Sequence, residues 1–140
     1  MKKILITLLF GVLCLAVYAQ TEEAPKPVAP YSQSRLTASG VLFVSGQIPI
    51  NPETGKLLKG DIKKETGQVM ENIQAILKAN NFTFSDVVKC TVFLTDIRDY
   101  KAMNEVYGSF FKDAFPAREA IEVSNLPLGA SIEISAIASK

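Results

Sequence analysis

The sequence contains no histidine and no tryptophan, and only two of its 140 residues are cysteines. Histidine is the commonest general base of enzymes and the commonest metal ligand, so its absence removes both uses. Ser-His-Asp and Cys-His catalysis are therefore excluded, and no metal site is predicted. Any chemistry must use carboxylates, arginine, tyrosine, backbone groups and water.

A strong excess of charge of one sign is also missing. The 15 Lys and Arg residues nearly balance the 14 Asp and Glu residues, and the net charge is +1 without any basic block. Proteins that bind nucleic acid usually carry a basic surface, because phosphate contacts dominate their affinity. No nucleic-acid partner is therefore expected.

One long apolar run is present, and it lies at the start of the chain. Lys2 and Lys3 precede the uncharged run 4–17, and Val17-Tyr18-Ala19 then places small or modest residues before a polar segment. About 14 apolar residues are too few to cross ~30 Å of hydrocarbon. The layout is typical of a secretory signal peptide over residues 1–19. The alternatives are an uncleaved anchor or a buried first helix.

Removal of residues 1–19 changes the composition of the protein that remains. It takes away two of the basic residues and none of the acidic ones, so the net charge becomes −1. It also removes Cys14, which leaves Cys90 without a partner for an intramolecular disulfide. We expect a secreted or periplasmic protein without stable membrane association after cleavage. Residues 20–29 are Pro- and Ala-rich and predict an extended lead-in without packing of its own, followed by one domain over residues 30–140.

Two kinds of hydrophobic periodicity alternate along this domain. Short apolar or alternating runs predict a strand near residue 34 and strands at 41–45, 87–95, 117–124 and 131–138. Apolar residues at helical spacing predict one helix from Asp61 to the Asn80-Asn81 pair. A second helix is capped by Asp96 or Asp99 and ends before Pro116.

The order of these elements is β-β-α-β-α-β-β. It predicts an α+β two-layer domain, with a sheet of five to six strands and two helices on one face. The continuous apolar run 41–45 predicts a strand that is buried on both faces. The second helix has one predicted apolar face, formed by Tyr100, Met103, Tyr107, Phe110 and Phe111.

The last strand indicates that the other face of the sheet is covered as well. Apolar residues at 132, 134, 136 and 138 alternate with a second set that is mixed rather than wholly polar: Ser131, Glu133, Ser135 and Ile137. A half-apolar open face on so small a domain suggests burial against other subunits.

Arg118 is the first of three candidate functional positions. Pro116 fixes the entry to a strand, so a rigid backbone holds Arg118 near the strand start. The guanidinium is always charged and offers a planar fork that suits a carboxylate ligand. The alternative is a rim arginine that pairs with Glu119 or Glu122.

Glu133 and the segment Ser45-Gly46 are the other two candidates. Glu133 lies between two isoleucines, and if another subunit covers its face the carboxylate needs water, a cation or a ligand. It could equally be a solvated face residue. Gly46 follows a strand and permits close approach of a ligand to the backbone, or it belongs to an ordinary strand-end bulge.

Several short motifs resemble those of the RidA/YjgF family and occur in the order seen in that family. They are Pro30-Tyr31-Ser32-Gln33, Ser45-Gly46-Gln47-Ile48-Pro49, Asn72-Ile73 with Ile76-Leu77, Val87-Val88-Lys89, Asn104 with Tyr107 and Phe110-Phe111, Pro116-Ala117-Arg118, Leu126-Pro127 and Glu133-Ile134. The match covers roughly residues 29–138. Together these motifs are far more specific than any one of them alone.

The resemblance implies a chorismate-mutase-like mixed sheet and a barrel-like homotrimer with active sites in the clefts between subunits. It implies hydrolysis of reactive enamines and imines, such as 2-aminoacrylate, to 2-keto acids and ammonia, without a cofactor. By motif, Arg118 resembles the substrate-carboxylate anchor and Glu133 the residue that places or activates the attacking water. The implied pocket lining is Tyr31, Ser45, Gly46, Asn104 and the backbone carbonyl of Ala120.

Two other functions compete with this hypothesis. One is a trimeric module that binds a small carboxylate or amine metabolite without turnover. The other is the endoribonuclease activity attributed to some relatives, which the net charge and the lack of histidine disfavour.

Overall fold

One mixed sheet and two helices make up the part of the chain that the computed structural model describes, residues 23–27 and 29–140. The proposed signal peptide lies outside these residues. The strands are β1 (Ser34–Leu36), β2 (Val41–Gln47), β3 (Val87–Leu94), β4 (Ala117–Glu122) and β5 (Ile132–Ser139). The helices are α1 (Ile62–Ala79) and α2 (Tyr100–Ser109), and the predicted order of elements is confirmed.

The sheet has the strand order β1-β2-β5-β3-β4. All neighbouring strands are antiparallel except β3 and β4, which are parallel and joined through α2. Parallel neighbours need a crossover, and α2 supplies it. The helices pack on each other and on one face of the sheet, which confirms the predicted two-layer α+β domain.

Helix α1 begins and ends at the predicted residues. The Asp61 carboxylate accepts hydrogen bonds from the backbone amides of Lys63 (3.1 Å) and Lys64 (3.3 Å), as an N-cap does. At the other end Asn80 caps the helix, and Asn81 takes the left-handed conformation (φ 62°) that ends many helices. No described helix is both long and apolar enough to cross a membrane.

Helix α2 differs from its prediction in two respects. Asp96 caps the short 3₁₀ turn Ile97–Asp99 that leads into α2, and the Asp99 side chain makes no cap bond. The predicted apolar face is wrong at Tyr100, whose side chain is exposed, whereas Met103 and Tyr107 are buried in the core. Tyr100 instead contacts Arg118 of β4.

Strand β2 is buried on one face only, which corrects the prediction of burial on both. Leu42 and Val44 lie in the core, but Phe43 is 45% exposed because both helices cover the opposite face of the sheet. Phe43 pairs with Ile137 of β5, and Ile121 of β4 is exposed on the same outer face. The half-apolar outer face is thus present, and its burial against other subunits stays a prediction.

The described part of the lead-in is attached to the domain, although no packing of its own was expected. Ala24 is almost completely buried. The side-chain amide of Gln33 donates to the carbonyl oxygens of Ala24 (3.3 Å) and Pro25 (2.8 Å). The lead-in also lines part of the cleft around Glu133 that is described below, through Pro25, Lys26 and Ala29.

Candidate active site

Arg118 lies near the start of the edge strand β4 and points to the face of the sheet that carries the helices. Its register partner on β3 is Cys90, which is buried in the core. Paired residues of neighbouring strands project to the same face of a sheet. The guanidinium therefore extends past the sheet edge toward α2.

Three side chains of α2 hold this guanidinium. Arg118 Nη1 donates to Asn104 Oδ1 at 2.7 Å, and Nη2 donates to the Tyr100 hydroxyl oxygen at 3.0 Å. The Tyr107 ring lies beneath the guanidinium, with 4.7 Å from Cζ to the ring centroid. Positions 100, 104 and 107 follow the spacing that places side chains on one face of a helix. One helix face thus forms a cradle for Arg118.

The alternative of a rim arginine paired with a neighbouring glutamate is wrong. Glu119 binds Lys89 (2.9 Å) and Thr91 (2.8 Å) on the outer face, and Glu122 accepts from the backbone amide of Ile97 (2.7 Å). None of the ion pairs within the described chain involves Arg118. Its neutral partners leave the positive charge uncompensated, at the edge of a cleft that Asn104 and Phe115 also line.

Glu133 occupies the opposite face of the sheet. It pairs with Phe93 of β3, and both project to the outer face. The carboxylate is half-buried and makes no hydrogen bond or ion pair with a described residue. Burial raises the pKa of Glu133 above its usual 4.5. The Glu133 carboxylate is therefore not a fully solvated group of the outer face.

Gly46 makes room for the Glu133 carboxylate. The pairing of β2 with β5 shifts between Val44 and Gln47, so the strand-end bulge is present. A Cβ atom on Gly46 would lie 1.8 Å from Glu133 Oε1. Only glycine therefore allows the carboxylate to lie against the β2 backbone.

A cleft of about 320 Å³ surrounds this carboxylate. Tyr31, Ser45, Gly46 and Glu133 line it, together with the apolar Leu128. The Ser45 hydroxyl donates to the Ser32 carbonyl oxygen at 2.7 Å, which fixes the segment that carries Tyr31. The loop after β2 is fixed from α1, because the Asn72 side-chain amide donates to the carbonyl oxygens of Ile48 (3.3 Å) and Ile50 (3.0 Å).

The predicted site residues thus fall into two half-sites on opposite faces of the sheet. The carboxylate half-site consists of Tyr31, Ser45, Gly46 and Glu133. The guanidinium half-site consists of Asn104 and Arg118, with Tyr100 and Tyr107 beside them. Ala120 lies two residues after Arg118, and its side chain packs against the core. Within one chain the two half-sites do not meet.

Sequence reasoning missed the role of Tyr100 and Tyr107, which it assigned to an apolar helix face. The spacing of these tyrosines around Asn104 was a usable signal, since all three had to face the same neighbour. Among the described residues, no cluster of three His, Cys, Asp or Glu side chains could hold a metal ion.

Comparisons with known proteins agree with one another. A family model described as Endoribonuclease L-PSP matches residues 21–140. A RutC family protein of Pyrococcus horikoshii is 55% identical over 120 residues, covering 86% of this chain and 94% of that one. The human 2-iminobutanoate/2-iminopropanoate deaminase is 44% identical over 118 residues, covering 84% of this chain and 85% of that one. The crystal structure of the YjgF gene product of E. coli superposes with a TM-score of 0.82 at 38% identity, covering 87% and 97% of the two chains.

Proposed function

The chain belongs to the RidA/YjgF family, whose family model is described as Endoribonuclease L-PSP, and from this premise we propose that it is a hydrolytic deaminase of small imino acids. Its reaction converts reactive enamines and imines of the 2-aminoacrylate type to 2-keto acids and ammonia. The observation that carries the proposal is the charge of Arg118, which no described carboxylate neutralises. The relative that acts as a 2-iminobutanoate/2-iminopropanoate deaminase supports the same reaction.

Arg118 binds the carboxylate of the substrate in this proposal. Its hydrogen bonds to Asn104 and Tyr100 use one N–H of each terminal nitrogen, so three of the five guanidinium N–H groups stay available. Charge-assisted hydrogen bonds from a guanidinium to a carboxylate are short and strong. The cradle on α2 fixes the orientation of the fork before the substrate arrives, which lowers the entropy lost on binding.

Glu133 places the water that attacks the imine carbon. The ionised carboxylate accepts a proton as the water oxygen bonds to that carbon, and the C=N π electrons move to nitrogen. The protonated carboxyl returns this proton to the nitrogen, which gives the carbinolamine. The hydroxyl proton of the carbinolamine then passes to nitrogen as the C=O bond forms, the C–N bond breaks and ammonia leaves. An imine is already electrophilic, so positioning of water and substrate supplies most of the rate.

Two chains are needed to complete one site. The half-sites lie on opposite faces of the same sheet, so the Arg118 of one chain must meet the Glu133 of another. The exposed apolar side chains of the outer face, among them Phe43 and Ile121, supply the surface for that contact. We therefore place the site in the clefts of a homotrimer, the assembly that the family resemblance implies.

A coupled assay tests the function. An amino-acid oxidase generates 2-iminopropionate or 2-iminobutanoate in the presence of the purified protein, and the appearance of the keto acid is followed against the uncatalysed rate. We expect acceleration by the wild type and roughly a hundredfold less by Arg118→Ala. Binding of the keto acid without any acceleration would identify a binding module instead, and cleavage of added RNA would identify a ribonuclease.

A further inference from the structure

Tyr100 carries a hydroxyl group at the guanidinium half-site that the proposed reaction does not yet use. Tyr100 is 41% exposed, although it begins the helix that packs on the core. The hydroxyl oxygen accepts from Arg118 Nη2 at 3.0 Å, and the ring lies 5.5 Å from Arg118 Cζ. A phenol can accept and donate at the same time, so this contact leaves the phenolic proton free.

The second tyrosine of the cradle cannot supply this proton. Tyr107 is buried, and its hydroxyl lies inside the core, where it finds no hydrogen-bond partner among the described residues and is out of reach of a ligand. Burial raises the pKa of Tyr107, so it stays neutral, and it meets Arg118 through the face of its ring. Asn104 accepts from Nη1 through its amide oxygen and keeps the two N–H donors of its Nδ2 group. Tyr100 is thus the tyrosine of the cradle whose hydroxyl can donate to a ligand beside the charge.

We propose that the Tyr100 hydroxyl donates its proton to the substrate carboxylate that Arg118 binds, and so acts as a second carboxylate-binding residue. This inference rests on the proposed function for the identity of the ligand. The guanidinium fork and the phenol then present adjacent donors to the two carboxylate oxygens. Because a neutral donor next to a cation adds a hydrogen bond without charge repulsion, the pair favours a carboxylate over an ester or an amide.

The Tyr100→Phe variant tests this role, because it removes the oxygen and keeps the ring against Arg118. Ser109→Ala is the matched control: it removes a hydroxyl from the same helix, one that donates only to the Val106 carbonyl oxygen. Steady-state kinetics with 2-iminobutanoate gives kcat and KM, and calorimetry gives the Kd of 2-oxobutanoate. Calorimetry with the methyl ester of 2-oxobutanoate measures binding without a carboxylate.

We expect Tyr100→Phe to raise both KM and the Kd of 2-oxobutanoate about tenfold, the usual size of one hydrogen bond to a charged group. The kcat should stay within about twofold, because the carboxylate contact is the same in the ground state and the transition state. Binding of the ester should be weak and equal in wild type and variant. Ser109→Ala should match the wild type throughout.

The outcomes separate this inference from the proposed function. If the wild type binds 2-oxobutanoate but hydrolyses no imine, the proposed function fails, and the Kd comparison still decides the role of Tyr100. If KM and Kd of Tyr100→Phe equal those of the wild type, or if only kcat falls, the carboxylate-binding role is overturned. A wild type that neither binds 2-oxobutanoate nor hydrolyses the imine overturns both.

Discussion

At the scale of single residues, the orientation of Arg118 and the space beside Glu133 carry the proposed chemistry. Arg118→Ala should lower kcat/KM on 2-iminopropionate by roughly a hundredfold, since a lost bidentate contact costs ~3 kcal/mol. Arg118→Lys should also fail, because a point charge on a flexible stem cannot form two parallel hydrogen bonds. Both variants should keep the thermal unfolding midpoint of the wild type. Near-normal turnover by Arg118→Ala would show that Arg118 does not bind the substrate carboxylate.

Two glycine substitutions distinguish a loss of the space beside the Glu133 carboxylate from the general effect of replacing a glycine by alanine. Gly46→Ala places a Cβ atom 1.8 Å from Glu133 Oε1, so the carboxylate must move. We expect about a tenfold loss of kcat at least, because displacement of a positioned group by about 1 Å is costly. Gly67→Ala in α1 is the control, since its Cβ would meet only Val106 at 3.9 Å. That variant should be fully active and slightly stabilised. Full activity in Gly46→Ala would refute this role of Glu133.

The acidity of Glu133 gives a prediction on pH. Burial raises the pKa of this carboxyl, so the acidic limb of the kcat/KM profile should lie above pH 4.5. A carboxyl with a raised pKa contributes stability below its unfolded pKa and loses it as pH rises through its folded pKa. Glu133→Gln should therefore be more stable than the wild type at neutral pH and no more stable in acid. Thermal unfolding of both proteins at neutral and at acidic pH measures this difference in stability. The same difference at the two pH values would contradict the prediction.

The sequence predicted which residues form the candidate site better than it predicted which of them lie together. The lack of histidine directed attention to arginine and carboxylates, and the motifs of the resemblance identified Arg118 and Glu133. Their separation onto opposite faces needed the register of β3 with β4 and with β5. That register depends on pairings between distant parts of the chain, and a one-residue shift would reverse the face of every side chain.

At the scale of elements, the sequence predicted strands and helices well where local signals were strong. Asp61 and Asn80 set the ends of α1 through capping, and both were readable. The buried face of α2 was harder to predict from the sequence, because a tyrosine side chain suits both a core position and a polar contact. Tyr100 faces Arg118 because the parallel return of β4 brings Arg118 beside the start of α2. The continuous apolar run of β2 likewise does not show whether an apolar side chain lies in the core or on the outer face of the sheet.

The central strand β3 carries Cys90, which we predict to be structural. The thiol is almost completely buried between the sheet and α2, and burial raises its pKa. A protonated, inaccessible thiol reacts slowly. Native protein should therefore resist thiol labelling that is rapid after unfolding, and Cys90→Ala should keep the wild-type kcat. Rapid labelling of the folded protein, or loss of activity in a folded Cys90→Ala variant, would contradict this.

At the scale of the whole molecule, the half-apolar outer face and the divided site have one common explanation. An outer face with Phe43 and Ile121 exposed is unfavourable for an isolated chain of this size. A half-site with an uncompensated cation and a half-site with an unpartnered carboxylate are each incomplete alone. Assembly through the outer face would bury its exposed apolar side chains and would bring the guanidinium half-site of one chain to the carboxylate half-site of another. A stable monomer at micromolar concentration in light scattering would contradict this explanation.

Mixed oligomers test the division of the site directly. Arg118→Ala and Glu133→Gln should each keep only a small residual activity as pure proteins, because every site lacks one essential group. When the two are co-expressed, a site that takes Arg118 from a Glu133→Gln chain and Glu133 from an Arg118→Ala chain is intact. Random assembly of equal amounts into a symmetric ring makes about a quarter of the sites intact, so about a quarter of the wild-type activity should return. The same proteins purified apart and mixed without subunit exchange should keep only that residual activity. Co-expressed oligomers that recover no activity would mean that Arg118 and Glu133 do not act across a subunit boundary, since a site within one chain can never be completed by a neighbour.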